Sequence, residues 1–92
     1  MLTAFVLIDC DPGMIPEVAQ QVANLKGVTD CYSVAGDNDL IAIVRVRDHE
    51  QLADVIADGI SKTKGVVRTK TMIAFRTYSN TDLEQAFSLG LE

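Results

Sequence analysis

One segment of this chain, Gly36-Asp37-Asn38-Asp39, combines residue types that suit the binding of a small polar molecule. Gly36 can adopt a positive φ angle and expose neighbouring backbone N–H groups as a concave anion-binding surface. Asp39 stands where an apolar strand begins, and its carboxylate could pair with an ammonium group. Thr69 and Thr71 add two hydroxyl groups on one face of a later strand. N–H donors, a carboxylate and two hydroxyls together suit a zwitterionic amino acid.

The same residues also have a purely structural explanation. Asp37 and Asp39 are common turn formers, and threonine favours β-strands. Residue spacing alone leaves both interpretations open. If Asp39 and Thr71 serve a ligand, replacing either one is expected to leave the stability of the fold nearly unchanged.

Other kinds of site chemistry find little support in the residues. His49 is the only histidine, which rules out a two-histidine metal site, and it follows a predicted helix N-cap. A calcium loop starting at the turn would need a glycine and a glutamate where Ala42 and Asp48 stand. Cys10 and Cys31 lack Cys-x-x-Cys spacing and are expected to be reduced thiols. No nucleophile or phosphate-binding motif occurs, so we predict no enzyme activity, metal or cofactor.

The elements that must position the turn follow from a repeated tripeptide. Lys-Gly-Val occurs at 26–28 and at 64–66, and in each copy a helical apolar pattern ends and a β-branched run begins. Each copy is preceded by a strand-like run and a helix-like run. The sequence therefore predicts an α+β, ferredoxin-like βαββαβ sandwich with an antiparallel sheet. The predicted strands are Thr3–Asp9, Val28–Ala35, Leu40–Arg47 and Val66–Phe75, and the predicted helices end near Leu25 and Ile60.

The first strand indicates that the sheet needs cover on both faces. Ala4, Val6 and Ile8 point to one face, and Phe5 and Leu7 point to the other. Two helices can cover only one face of a four-stranded sheet. A monomer would expose more contiguous apolar surface than soluble proteins usually tolerate. We therefore expect a two-fold dimer with the bare sheet faces packed together.

Composition limits the partners and the compartment. The formal net charge is −5, which disfavours direct contact with nucleic acid. No apolar run approaches the roughly 18–20 residues of a membrane span, so we expect no membrane contact and a cytoplasmic location. We assign residues 1–77 to one domain and 78–92 to a tail. Within the tail, Thr81 and Glu84 fit a capping box, which predicts a short C-terminal helix.

The run from Val28 to Val44, with its Gly-Asp-Asn-Asp turn, and the later Thr69-Lys70-Thr71 strand resemble the effector-sensing (RAM) domain of Lrp/AsnC transcriptional regulators. The resemblance covers residues 1–77. It implies a dimeric α/β barrel, a ring of four or five dimers (an octamer or decamer), and effectors bound in clefts between dimers. By position, residues 36–39 would hold the effector, and Thr69 and Thr71 would line the opposite wall. Asn38 departs from the family, which commonly has an aromatic residue there.

Three functional hypotheses follow. The leading one is a non-enzymatic module that senses a free amino acid and assembles with itself or with a full-length Lrp/AsnC regulator. The family's helix-turn-helix is not present in this sequence, so we expect no direct binding to DNA. One alternative is a small enzyme of the dimeric α/β-barrel class, such as a cofactor-free monooxygenase or isomerase. Another is an oligomerisation unit without a ligand.

Overall fold

The fold is a four-stranded antiparallel sheet with two helices against one face. The computed structural model describes residues 1–79, so the predicted tail helix, with Thr81 and Glu84, lies outside the described residues. The elements are β1 (Leu2–Cys10), α1 (Ile15–Ala23), β2 (Val28–Ser33), β3 (Leu40–Val46), α2 (His49–Ala53) with a π-helical continuation (Asp54–Ile60), and β4 (Val66–Ile73). The strands occur in the order β2-β3-β1-β4. This is the predicted ferredoxin-like arrangement.

Strand β1 divides the sheet into a helix-covered face and an open face. Ala4, Val6 and Ile8 are fully buried beneath the helices, as their alternation predicts. Phe5 and Leu7 point to the other face and are only half-buried. Because directly paired residues share a face, the register of β1 assigns its neighbours too. The open face carries a continuous apolar surface across β1 and β3.

Of α1 and α2, only α2 begins with a side-chain N-cap; α1 follows a short 3-10 turn, Pro12–Met14, and its own N-cap, Met14, forms no side-chain hydrogen bond. Asp11 accepts a hydrogen bond from the backbone N–H of Gly13 just before α1, and Pro16 lies in its first turn. At α2, the Asp48 carboxylate accepts from the N–H of Gln51 at 2.8 Å. The Gln51 side chain in return accepts from the N–H of Arg47 at 2.8 Å. This pair satisfies donors that the first helical turn leaves free.

The second helix differs from the expected regular α-helix. After His49–Ala53 the backbone continues as a π-helix, Asp54–Ile60, and the N–H of Ser61 donates to the carbonyl of Ile56 at 2.8 Å. A Cβ added at Gly59 would lie 3.0 Å from a methyl carbon of Leu25. The close approach of Leu25 needs a residue without a side chain in this segment. Sequence periodicity does not distinguish a π-helix from an α-helix over such a short run.

Strand β4 also differs from its predicted alternation. Asp9 pairs with Arg68 and Cys10 pairs with Val66, which leaves Val67 as an extra residue in a β-bulge. Val67 is 70% exposed. Strict alternation along β4 would place Val67 on the same face as Thr69, but the bulge interrupts the two-residue period. The strand also ends at Ile73, short of the predicted Phe75, and β2 ends at Ser33 rather than at Ala35.

The two Lys-Gly-Val copies join the halves of the fold. Gly27 and Gly65 have φ values of 96° and 101°, a region that favours glycine. A Cβ at Gly27 would lie 2.9 Å from Val55 Cγ2, and a Cβ at Gly65 would lie 2.8 Å from Val18 Cγ2. Each glycine thus packs against the helix of the other half, so the repeat serves tertiary packing as well as helix termination.

Replacement of Gly65 by alanine is expected to lower the free energy of unfolding by about 2–4 kcal/mol, because it combines a strained φ with a clash against Val18. Gly13→Ala is the matched control, since the nearest atom to its added Cβ lies at 3.6 Å. Urea unfolding at a fixed protomer concentration measures both. Equal stability of the two variants would contradict the packing role of Gly65.

Candidate functional site

The predicted turn, residues 36–39, lies between β2 and β3 and contacts the end of β1. The N–H of Val34 donates to the carbonyl of Asp39, and the N–H of Asp39 donates to the carbonyl of Ile8, both at 3.1 Å. Gly36 has a φ of 142°, as expected, and a Cβ there would meet no atom within 4 Å. Within residues 1–79, the N–H groups of residues 36–38 donate to no protein acceptor. These three donors are thus open to an anionic group.

The carboxylate of Asp39 has a structural role that the sequence did not predict. Its Oδ2 atom accepts a hydrogen bond from the backbone N–H of Cys10 at 2.9 Å. Cys10 is the last residue of β1, so this contact fastens the turn to the strand end. The expectation that Asp39 is dispensable for the fold therefore does not hold. Its second oxygen, Oδ1, accepts no hydrogen bond among the described residues.

Two residues that sequence reasoning missed, Asp9 and Arg68, extend the turn across the sheet. The Asn38 side-chain amide donates to Asp9 Oδ1 at 2.9 Å. The other oxygen of Asp9, Oδ2, lies 3.3 Å from Arg68 Nε on β4. One carboxylate therefore connects the turn to the opposite edge of the sheet. Charge and polarity mark each residue in the sequence, but only the strand register shows that they meet.

The two threonines lie at the same end of the sheet but do not contact the turn. Thr69 pairs with Ile8 and Thr71 pairs with Val6, so both face the helix side and are half-buried. Strand β1 separates them from residues 36–39 of the same chain. Two strand intervals amount to about 10 Å, which is too far for one hydrogen bond. The predicted set is therefore divided into two parts within one protomer.

The end of β1 is a strongly acidic environment. Burial, followed by the charges of Asp39, Asp9 and Asp11, raises the pKa of the Cys10 thiol. Burial, followed by the proximity of Cys10, raises the pKa of the Cys31 thiol. Raised values keep both thiols protonated and weakly nucleophilic near neutral pH. The carboxylates that act on Cys10 would equally favour a cationic group such as an ammonium.

The open sheet face is the second candidate surface. Its centre consists of four half-buried apolar side chains: Phe5, Leu7, Ile41 and Ile43. Tyr32 and Met72 extend it on either side and are 53% and 49% exposed. None of the described helices covers this face, because both pack on the other side. The expected unpaired apolar face is therefore present on the chain.

A groove of about 670 Å³ lies at the opposite end of the sheet from the turn. The π-helical segment forms one wall, and the segment Leu25–Gly27, Arg45 and Met1 are among its other lining residues. None of the predicted site residues lines it. His49, near the start of α2, is exposed, as expected for a solvated first helical turn.

Residues 1–79 contain no group of three or more His, Cys, Asp or Glu side chains arranged to hold a metal ion. None of the helices in this region is long and apolar enough to cross a membrane.

The family described as the Lrp/AsnC ligand binding domain matches residues 3–83. An HTH-type transcriptional regulator of Pyrococcus horikoshii is 40% identical over 78 residues, which are 82% of this chain and 52% of the relative. The chain belongs to the Lrp/AsnC ligand-binding domain family. It spans about half the length of the curated relatives that it matches.

Solved structures agree with the family and the fold. TTHA0845 from Thermus thermophilus superposes with a TM-score of 0.83 at 44% identity, covering 87% of this chain and all of that one. A feast or famine regulatory protein from Mycobacterium tuberculosis, complexed with L-methionine, has a TM-score of 0.74 at 32% identity. That match covers 87% of this chain and 54% of the other.

Substitution of Asp39 by alanine is expected to destabilise the fold by about 1–2 kcal/mol, because the N–H of Cys10 loses its acceptor. Asp39→Asn retains an acceptor oxygen and should lose about half as much. Asp37→Ala is the control, since Asp37 is exposed and accepts no hydrogen bond within the described region. Chemical denaturation compares the three variants. If Asp39→Ala and Asp37→Ala have the same stability, the fastening role is refuted.

Proposed function

We propose that this chain is a non-enzymatic, amino-acid-responsive oligomerisation module that influences transcription by assembling with full-length regulators of its family. The observation that carries the proposal is the turn itself. Within residues 1–79, it offers three N–H donors that have no protein acceptor, and Asp39 at its end retains one unshared oxygen. The α-carboxylate of an amino acid fits the donors, and its ammonium group fits the carboxylate oxygen. The M. tuberculosis relative complexed with L-methionine supports this class of ligand.

The second wall of the site comes from another chain. Thr69 and Thr71 are separated from the turn of their own protomer by β1, so they cannot close the site from within it. In the proposed ring of dimers, the turn of one dimer would face the β4 edge of the next. Strand β4 is at the edge of the sheet, which leaves its helix-side hydroxyls accessible to a neighbour. Ligand binding and assembly of the ring are therefore coupled.

The open sheet face provides the contact within each dimer. Two copies related by a two-fold axis bury Phe5, Leu7, Ile41 and Ile43 between their sheets. An interface of this kind buries on the order of 1,600 Å² or more in total, which is sufficient for a stable dimer. The same surface on a full-length relative would accept this chain in place of its own copy. Such mixed assembly, in the cytoplasm, would alter a regulator without direct DNA contact by this chain.

The helix-side core favours sensing over catalysis. Among residues 1–79 every buried side chain is apolar, and no buried polar or charged residue occurs. An enzyme of the dimeric α/β-barrel class would need polar groups directed into the space between sheet and helices. Thr69 and Thr71 are half-buried on the helix side of β4, and the other polar residues of the candidate site lie at the end of β1, at the protein surface.

A panel of the twenty amino acids tests the sensing function. At least one is expected to raise the melting temperature and to bind below about 10 mM in calorimetry. Thr71→Val, which retains shape and removes one hydroxyl, should weaken that binding about fivefold, near 1 kcal/mol. Thr77→Val, at an exposed position beyond β4, should have no effect. Absence of binding by every amino acid would contradict the function.

Assembly is tested by light scattering coupled to size exclusion. We expect the wild-type mass to be at least two chains at micromolar concentration, rising to eight or ten in the complete ring. Ile43→Glu places a charge at the centre of the open face and should shift the mass toward the 10.0 kDa monomer while circular dichroism stays native-like. Gln20→Glu, on the exposed side of α1, is the control. A wild-type monomer would overturn the dimer.

A further inference from the structure

We infer that Arg68 binds the carboxylate of the ligand, and that Asp9 and Asn38 position its guanidinium beside the turn. This inference rests on the proposed amino-acid function and adds to it a residue on β4. The three side chains form one connected set, with Asn38 donating to one oxygen of Asp9 and Arg68 Nε lying against the other. The carboxyl group of Asp9 thus connects the Asn38 side chain of the turn to the guanidinium of Arg68.

The geometry leaves the binding part of Arg68 free. The ion pair uses Nε, at 3.3 Å from Asp9 Oδ2, and within residues 1–79 the arginine forms no other ion pair or side-chain hydrogen bond. The two terminal nitrogens therefore retain their donors, in the fork that matches a carboxylate. The Arg68 side chain is 76% exposed, whereas Asp9 is only 25% exposed. A partly buried anchor thus orients an accessible cationic group.

The position of Asp9 depends on the side-chain amide of Asn38. Asn38 departs from the family, which commonly has an aromatic residue at this turn position. A phenyl ring there could not donate to Asp9 as the amide of Asn38 does at 2.9 Å. The amide occupies one oxygen of Asp9 and leaves the other for Arg68. Asn38 therefore contributes a polar contact that leads through Asp9 to β4, where an aromatic side chain would present an apolar surface.

The surrounding charges define the ligand class. The turn alone offers neutral N–H donors, and hydrogen bonds from a charged donor are roughly twice as strong. Arg68 supplies that positive charge on the side of the α-carboxylate. Asp11 and Asp39 make the end of β1 negative, which disfavours a second carboxylate on the ligand. The geometry therefore fits an amino acid with a neutral or basic side chain better than aspartate or glutamate.

The test compares an amino acid with its own carboxamide. For the amino acid that binds most tightly in the panel, Arg68→Ala should weaken binding about tenfold or more, and Arg68→Lys should recover only part of that loss. The carboxamide lacks the negative charge, so its weaker binding should be nearly the same in the wild type and in Arg68→Ala. Asp9→Asn should reduce amino-acid affinity by about threefold to fivefold through the loss of orientation.

Arg76→Ala is the matched control, because Arg76 is also an exposed arginine but follows the C-terminal end of β4, at the opposite end of that strand from Arg68. It removes the same charge from the same residue type and should change affinity less than twofold. Equal losses from Arg76→Ala and Arg68→Ala, or equal sensitivity of the carboxamide, would overturn the role of Arg68 and leave the sensing function intact. Failure of the wild type to bind any amino acid would instead remove the sensing function, and this inference with it.

Discussion

The apolar character of β1 on both faces is the constraint on which the rest of the structure depends. One set of its side chains is fully buried against the helices, and the other set, Phe5 and Leu7, faces outward between β3 and β4. Each large apolar side chain gains about 1.5–3 kcal/mol when it is fully buried. The helices can provide this gain on one side only. The outward set would therefore make association with a second sheet favourable, which is the basis of the proposed dimer.

The end of the same strand organises the candidate site. Asp9 and Cys10 lie where β1 leaves the sheet, and the turn between β2 and β3 is fastened there by Asp39 and Asn38. The strand that is proposed to direct assembly thus also holds the polar turn in place. A ligand that contacts the turn of one protomer and the β4 edge of another would change the free energy of assembly. Sensing and oligomerisation would in this way share a single structural element.

Much of the fold could be predicted because it depends on local signals. Alternation in β1, the glycines after the helices and the Asp48–Gln51 cap are each visible within a few residues of sequence. The features that were missed depend on distant parts of the chain. The bulge at Val67 and the pairing of Asp9 with Arg68 follow from strand register, which tertiary packing determines. The π-helix likewise accompanies a contact between Gly59 and Leu25, far apart in sequence.

The residue types of the candidate site could be predicted from the sequence, but the contacts among those residues could not. The turn and the two threonines stand out by residue type, yet the division of the set by β1 is visible only in three dimensions. Asp39 shows the same difficulty, because a carboxylate that suits an ammonium group also suits the backbone N–H of Cys10. Residue types indicate which chemistry is available. Geometry decides which part of it the fold itself uses.

The burial of the open face by a second copy is the central claim, and isotope-filtered methyl NMR tests it most directly. Chains with labelled isoleucine and leucine methyl groups are mixed with unlabelled chains, and only contacts between the two kinds are recorded. The account predicts intermolecular nuclear Overhauser effects from the methyl groups of Leu7, Ile41 and Ile43. If these intermolecular effects are absent and the same methyl groups are accessible to a soluble paramagnetic probe, the burial of the open face by a second copy is contradicted.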